Sequence, residues 1–415
     1  MHPLFRAKII EKIPVKDEQS RQRTLRNAGF NPFQIPADQV TIDLISDSGT
    51  GAMSVLQWQA LISASEDFSG QTAYTDFVTT AHRLFSMQYI QPVHQGRVAE
   101  NLLFKLLLKP GDIIVSNTHF ETTRSNIEAI GGRAIDLPAR RPPYCGNLNV
   151  KKLTALLRST PVHMVVLSIT NNIQGGQPVS MENIRRIKRV CLRHHIPLVF
   201  DASRFADNAY LIKELTRTRS TIPEICAQMF KFADIVYLSC KKSVMVNVGG
   251  CIALRNKALF ERLQVAVLQQ ESYPSSGGLA ARDLAAMNIG LREAVDGSYL
   301  QAHREMLRSL GRALEDHHVP IIKPIGGHAI AIPLKQDVPH AAFALAAAVY
   351  RMSGVRGGVF NDQYRLALPR RVYALEHMLY VAQAVGSVYK KPLIKLKAVN
   401  TPTVFHDFLV RFKRI

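Results

Sequence analysis

Between about residues 95 and 270, short Val- and Ile-rich runs alternate with segments of helical period. No other feature limits the fold as much. The runs are Ile113–Ser116, Ala134–Leu137, His163–Ile169, Ile196–Phe200, Ile235–Ser239 and Cys251–Leu254, each bounded by Gly, Pro, Asn or Asp. Between them lie Val98–Leu108, Thr122–Ile130, Ser180–His194 and Ile222–Phe232. The first three end at Lys109-Pro110-Gly111, at Gly131-Gly132 and before Pro197. In Met181–His194, Ile184, Ile187, Cys191 and His194 mark one face, and Arg185, Arg186, Lys188 and Arg189 mostly another. Strands alternating with helices predict an α/β fold, its sheet mostly parallel and covered on both faces.

After about residue 275 the texture changes to long helical patterns, Leu279–Val295 and Tyr299–His317. Two short strand-like pieces flank Gly326-Gly327, and helices follow near Ala341–Met352 and Val372–Val388. This reads as a smaller α+β domain, with which the opening ~45 residues, lacking βα alternation, are expected to pack. The expected domains are 46–298, large and α/β, and a discontinuous 1–45 plus 299–415.

An apolar share of 47% excludes a disordered chain. The longest apolar stretch, Ala341–Tyr350, is about half of what a bilayer-spanning helix needs. Met1–Lys8 has no apolar core of a secretory signal. Five scattered cysteines, never CxxC, read as reduced cytosolic thiols without disulfides or a zinc site, so a cytoplasmic protein is expected. The net charge of +20 is compatible with nucleic acid, an anionic membrane surface, acidic small molecules or solubility alone. Basic residues are spread along the chain. The nearest thing to a cluster, Lys390-Lys391-Pro392 with Lys395 and Lys397, lacks interleaved aromatics that would stack bases. The expectation is therefore no nucleic acid and no membrane.

Ligands of open α/β sheets bind beyond the carboxyl ends of strands. Ser239-Cys240-Lys241-Lys242 follows the strand at 235. A double lysine between apolar segments is costly to bury, and there a lysine can act as an amine nucleophile; the alternative is a surface turn. Asp201-Ala202-Ser203-Arg204 follows the strand at 196. Asp201 could face a protonated ring nitrogen, the device of pyridoxal phosphate (PLP) sites, with Arg204 holding the carboxylate, or form an ordinary Asp–Arg pair. Thr170-Asn171-Asn172-Ile173-Gln174-Gly175-Gly176-Gln177-Pro178 is a turn in which an Asn can donate to a phenolate oxygen. His94-Gln95-Gly96-Arg97 opens a helix, where backbone N–H groups and an Arg suit a phosphate. Phe120 could stack on a flat ring or be core. Phosphate loop, aromatic, Asn, Asp and Lys fall on successive strands in the order of an aspartate-aminotransferase-like (fold type I) PLP enzyme. No HExxH occurs and no GxGxxG follows a strand.

At these motifs the chain resembles the β-eliminating lyases, tyrosine phenol-lyase and tryptophan indole-lyase. The likeness runs nearly end to end, through Asn31-Pro32-Phe33, Ile42–Thr50, Gly175-Gly176-Gln177-Pro178-Val179-Ser180, Ser276-Gly277-Gly278-Leu279, Gly326-Gly327-His328-Ala329 and Arg365–Arg370. Gly290–Ala294 and Pro369–Tyr373 look closer to the tyrosine enzyme. The resemblance implies that Lys242 attaches PLP and then carries the Cα proton, supported by Lys241. Asp201 would pair with the pyridine nitrogen, oriented by Arg204, and Asn172 would bind the ring oxygen. Gln95, Gly96, Arg97 and Ser239 would hold the phosphate, and Phe120 would stack on the ring. Arg365 would take the substrate carboxylate, with Ser48 and Asn172 nearby. Glu66, Gly49 and Asn247 stand where the family binds a monovalent cation such as potassium. A homotetramer, or at least a homodimer, acting on a small amino acid is implied.

Departures from the family pattern bear on the substrate. Glu66-Asp67-Phe68-Ser69-Gly70 stands where the family has Glu-Ala-Tyr-x-Gly, whose tyrosine helps protonate the leaving group. Glu121 replaces the Thr or Asp after the stacking aromatic, and Asp407 the His or Phe near the C-terminus. The loop carrying the tyrosine enzyme's phenol-binding arginine looks much shortened, around Gly357-Gly358-Val359-Phe360-Asn361. The reading is a PLP-dependent lyase: Cα deprotonation, then β-elimination of a leaving group better than phenol or indole. Alternatives on the same frame are β-replacement, transamination, retro-aldol cleavage and a non-catalytic PLP-binding relative.

Overall fold

The computed structural model describes residues 10–173, 175–273, 279–334, 338–360 and 362–415. Met1–Lys8, Gln174, Ser276-Gly277-Gly278 and Asn361, all used above, lie outside them. In chain order the strands are β1 Ile42–Leu44, β2 Tyr89–Val93, β3 Ile113–Ser116, β4 Arg133–Asp136, β5 Met164–Ser168, β6 Leu198–Asp201, β7 Ile235–Ser239, β8 Gly250–Leu254, β9 Ala329–Ile332, β10 Val355–Phe360, β11 Gln363–Ala367, β12 Leu396–Ala398 and β13 Phe412–Arg414. The helices are α1 Glu18–Asn27, α2 Val55–Ser63, α3 Thr72–Phe85, α4 Gly96–Leu107, α5 Glu121–Glu128, α6 Val150–Leu156, α7 Met181–Arg193, α8 Phe205–Thr216, α9 Ile222–Phe230, α10 Lys257–Glu271, α11 Ala281–Glu293, α12 Gly297–Asp316, α13 Ala341–Ser353, α14 Leu375–Tyr389 and α15 His406–Leu409.

Contacts divide the chain into two compact units, Ser48–Gln301 and Met1–Asp47 with Ala302–Ile415. In the first, a seven-stranded sheet runs β2-β8-β7-β6-β5-β3-β4. Strands β4, β3, β5, β6 and β7 are parallel, and β8 is antiparallel to both neighbours. Successive residues of β7 enter different apolar clusters: Val236 and Leu238 one, Ile235 and Tyr237 the other. Burial on both faces explains the near-continuous Val/Ile runs. Each such side chain contributes roughly 1.5–3 kcal/mol when fully buried. Helix α7 starts where Ser180 Oγ accepts the Asn183 N–H at 3.0 Å, and it turns Ile184, Ile187 and Cys191 inward.

The second unit holds the sheet β1-β10-β11-β9, with β1 parallel to β10 and the other pairs antiparallel, and a β12–β13 hairpin. Two expectations change here. Only the piece after Gly326-Gly327 is a strand. The segment before it makes one sheet-like bond, Ile322 N–H to the Ala331 carbonyl at 2.8 Å, and Pro320 and Pro324 on either side have no N–H to continue it. The Gly357–Phe360 stretch, expected as a loop, belongs to β10. Its glycine is needed because a Cβ at Gly357 would lie 2.5 Å from the Tyr364 ring. Asp47 and Arg370 form an ion pair at 2.6 Å with both side chains 1% exposed. Among the described residues no helix is long and apolar enough to cross a membrane.

Candidate active site

The carboxyl ends of β3, β5, β6 and β7 lie along one edge of the parallel sheet, with Ser168 opposite Asp201 and Asp201 opposite Tyr237 in register. Phe120, Asn172, Asp201, Ser239 and Lys242 all stand at or just beyond these ends. Strand β2 delivers Gln95-Gly96-Arg97 to the same edge, because β8 pairs with both β2 and β7. Gln95 bridges Gly249, and the Gly249 N–H donates to the His94 carbonyl at 2.8 Å. The Glu271 carboxylate accepts the His94 N–H at 2.9 and 3.1 Å. Gly96 then starts α4 directly against Ser239: a Cβ there would lie 2.6 Å from Ser239 Cβ and 2.9 Å from its Cα. Only a residue without a side chain fits, which leaves backbone N–H groups at the start of α4 beside the Ser239 hydroxyl. Arg97 is exposed next to them.

Asp201 is half-buried at the end of β6. Its Oδ1 accepts from Ser203 N–H at 3.2 Å and Ser203 Oγ at 2.9 Å. The same Ser203 Oγ accepts the Ser239 N–H at 3.0 Å. One hydroxyl thus fixes the carboxylate and the end of β7 together. Beyond β7, Lys241 and Lys242 are half-buried, and the Lys242 carbonyl accepts the Met245 N–H at 3.1 Å. The Lys241 carbonyl accepts the Gly49 N–H at 2.7 Å, which brings Ser48-Gly49 to the lysine turn. Arg204 is buried at the start of α8.

After β5, the Asn171 carbonyl accepts from Gly176 and Gln177, and Gly175 donates to the Asn172 carbonyl at 3.0 Å. Gly175 and Gly176 both have positive φ, so this tight turn requires glycine. Asn172 is buried within it, and Thr170 Oγ1 is buried without a protein partner. Phe120 caps the start of α5.

Sequence reasoning missed Glu100. It lies on α4 one turn before Phe104, on a face otherwise apolar, and that misplaced charge was the available signal. Thr123 Oγ1 donates to its Oε1 at 2.7 Å. Burial, with the Asp201 charge behind it, pushes the Glu100 carboxyl up to about 7, against hydrogen bonds from Thr123 and Thr122 and the charge of Lys242.

A family model described as "Beta-eliminating lyase" matches residues 43–384. The chain belongs to the β-eliminating lyase family. A tryptophanase of Salinibacter ruber (strain DSM 13855 / M31) is 41% identical over 91% of this chain and 88% of its own length. A tyrosine phenol-lyase of Lacrimispora saccharolytica is 35% identical over 99% of this chain and 96% of its own length. Among solved structures, a threonine aldolase of Leishmania major superposes with a TM-score of 0.63 at 13% identity, over 84% of this chain and 99% of that one. The lyase therefore has the fold of fold type I PLP enzymes and is a PLP-dependent lyase.

The residues present in this lyase suit PLP. Ser239 leaves no room for a Cβ at Gly96, so the start of α4 is bare backbone there, and bare N–H groups suit a phosphate. A carboxylate locked at a strand end suits a ring N–H, and an orphaned Thr170 hydroxyl lies buried nearby in sequence to Asn172. At the expected cation position, the Asn247 carbonyl is 3.6 Å from where a Gly49 Cβ would lie. Glu66 accepts from Ala281 N–H at 3.0 Å, Arg282 N–H at 3.2 Å and Arg282 Nε at 2.5 Å at the start of α11. Burial raises the Glu66 carboxyl, but these bonds outweigh it and hold it below its usual range.

Phe68, in place of the family tyrosine, is 67% exposed and stacks on Tyr273, centroids 5.6 Å apart at 21°. Glu121 is the first residue of α5. In the second unit Arg365 is buried in β11 with its guanidinium carbon 3.8 Å from the Phe360 ring centre. Phe360 in turn meets Phe408 and Phe33, and the Asp407 carbonyl accepts from Asn31 Nδ2 at 3.0 Å. Arg365 and the Asp407 segment are thus joined through one aromatic cluster.

Proposed function

We propose that this lyase expels a good leaving group, such as a thiolate, an oxygen ester or a halide, from Cβ of an amino acid, and cleaves tyrosine and tryptophan poorly. Phe68 carries the proposal. A carbon leaving group must be protonated as it departs, and general acid help is typically worth ~10²–10⁴ in rate. A phenyl ring has no proton to give. A thiolate or halide departs without one.

When bound, PLP supplies an electron sink that stabilises negative charge at the substrate Cα. The chain's own groups do the rest. Lys242 holds the cofactor and moves the Cα proton, with Lys241 beside it. Asp201, held by Ser203 and with Arg204 next in line, keeps a proton on the ring nitrogen. Asn172 and Phe120 hold the ring; Gln95, Gly96, Arg97 and Ser239 hold the phosphate. Arg365 takes the substrate carboxylate, with Ser48 and Asn172 assisting. Potassium at the Gly49 and Asn247 carbonyls and Glu66 belongs to the same proposal, as does a homo-oligomer.

The test assays purified yellow protein, with potassium present, on a panel of β-substituted amino acids. Keto acid, ammonia and the freed group are measured separately. Equal release of all three from S-, O- or halide-substituted substrates is expected. Rapid release of phenol or indole from tyrosine or tryptophan overturns the proposal. Keto acid without ammonia points to transamination, and an aldehyde to retro-aldol cleavage.

A further inference from the structure

The basic stretch after α14 finds no role in the chemistry above, yet it borders a cavity. Within the second unit, α1, α13, the end of α14 and β13 enclose about 380 Å³. Its floor is apolar: Leu25, Phe30, Val388 and Phe412. Its rim carries Arg26, Arg351, Lys391, Lys413 and Arg414, and among the described residues that line it none is acidic. Arg351 also meets Glu18 outside the cavity at 3.5 Å. The size lies at the small end of ligand pockets, roughly 300–1,000 Å³. Five basic side chains around an apolar hollow set up a positive field that favours an anionic head group, and the hollow itself favours an apolar body.

We infer that this cavity binds a free amphipathic carboxylate of medium length, its acyl or aryl body on the Leu25–Phe412 floor and its head among the rim cations. Charge complementarity selects this occupant. Residues 1–9 of the chain itself carry Arg6 and Lys8 and no acid, so they lack the matching charge. The volume favours a single chain over a two-chain lipid.

Calorimetric titration of the full-length holoenzyme with decanoate, decanol and decylamine tests this. Saturable one-to-one binding of decanoate is expected, at least tenfold tighter than decanol, with none for decylamine. Ala348→Trp, which fills the cavity from α13, and the Lys391→Glu/Lys413→Glu pair should each weaken decanoate at least tenfold, with thermal midpoints checking the fold. Lys242→Ala should bind decanoate as the parent does. Equal affinity for decanol, or undiminished binding in both cavity variants, overturns the inference. So does binding lost with Lys242, which would place decanoate in the active site. Capture of the protein by phosphatidylglycerol vesicles but not by decanoate would assign the surface to a membrane, and a changed oligomeric mass in Ala348→Trp would assign it to a second copy.

Discussion

Thr123 Oγ1 donates to Glu100 Oε1 at 2.7 Å inside the layer between α4 and α5. The carboxyl it holds sits at about 7, raised from an ordinary 4.5 chiefly by burial. A raised carboxyl binds more protons folded than unfolded. Stability is therefore fully present below about pH 4.5 and falls as pH rises towards 7. The total is at most about 3 kcal/mol. Glu100→Gln should match the parent in denaturant midpoint at pH 4.5 and exceed it at pH 8. Parallel pH profiles for the two proteins would refute this.

The Gly96–Ser239 contact predicts a selective loss. In Gly96→Ala the new Cβ must displace Ser239 backbone, an overpacking worth roughly 1–3 kcal/mol. The apoprotein should melt a few degrees lower, and PLP affinity, followed by visible absorbance, should fall more than tenfold. Unaltered PLP affinity would remove the cradle from the site.

Restoring a phenol at position 68 tests the leaving-group argument by addition. Phe68→Tyr should raise phenol or indole release from tyrosine or tryptophan by about 10–100-fold, below the full range for an acid. Turnover of an S-substituted cysteine should stay within about twofold. A uniform change across substrates would mean that position 68 only shapes the pocket.

Helix α2 leaves Val55, Leu56, Trp58 and Ile62 exposed, Ile62 by 79%. An apolar strip of this kind suits an interface of the proposed homo-oligomer. Trp58 is the chain's single tryptophan. Ile62→Glu should lower the mass in sedimentation and shift tryptophan emission to the red. An unchanged mass and spectrum would leave α2 outside any interface.

Strands β3, β5, β6 and β7 were legible because both their faces are buried, so their apolar runs are continuous, whereas β4 lies at the sheet edge and is only partly buried. Strand β2 was not, because Gln91 and Pro92 interrupt it; Pro92 is tolerated because β2 lies at the sheet edge. Strand β10 reads as a loop because Gly357-Gly358 supplies no side chains, Gly357 making room for Tyr364. The motif residues were legible from their place after strands. Ser203, which ties Asp201 to Ser239, was visible only as a neighbour of Asp201, since its second bond reaches a distant segment. Glu100 announced itself as a charge on an apolar face, but its nearness to Asp201 depends on how α4 crosses the sheet.

The bridge from Gln95 to Gly249 also bears on how the protein is made. The proposed phosphate cradle is begun by one stretch of chain and completed by another that is synthesised much later. While a ribosome has delivered only β2 and α4, the cradle has one wall. Ser239 and the β8 strand that joins β2 to β7 are still to come. Charging with cofactor is then a late event in biogenesis, tied to completion of the sheet, and nascent chains halted before β8 should emerge colourless however much PLP surrounds them.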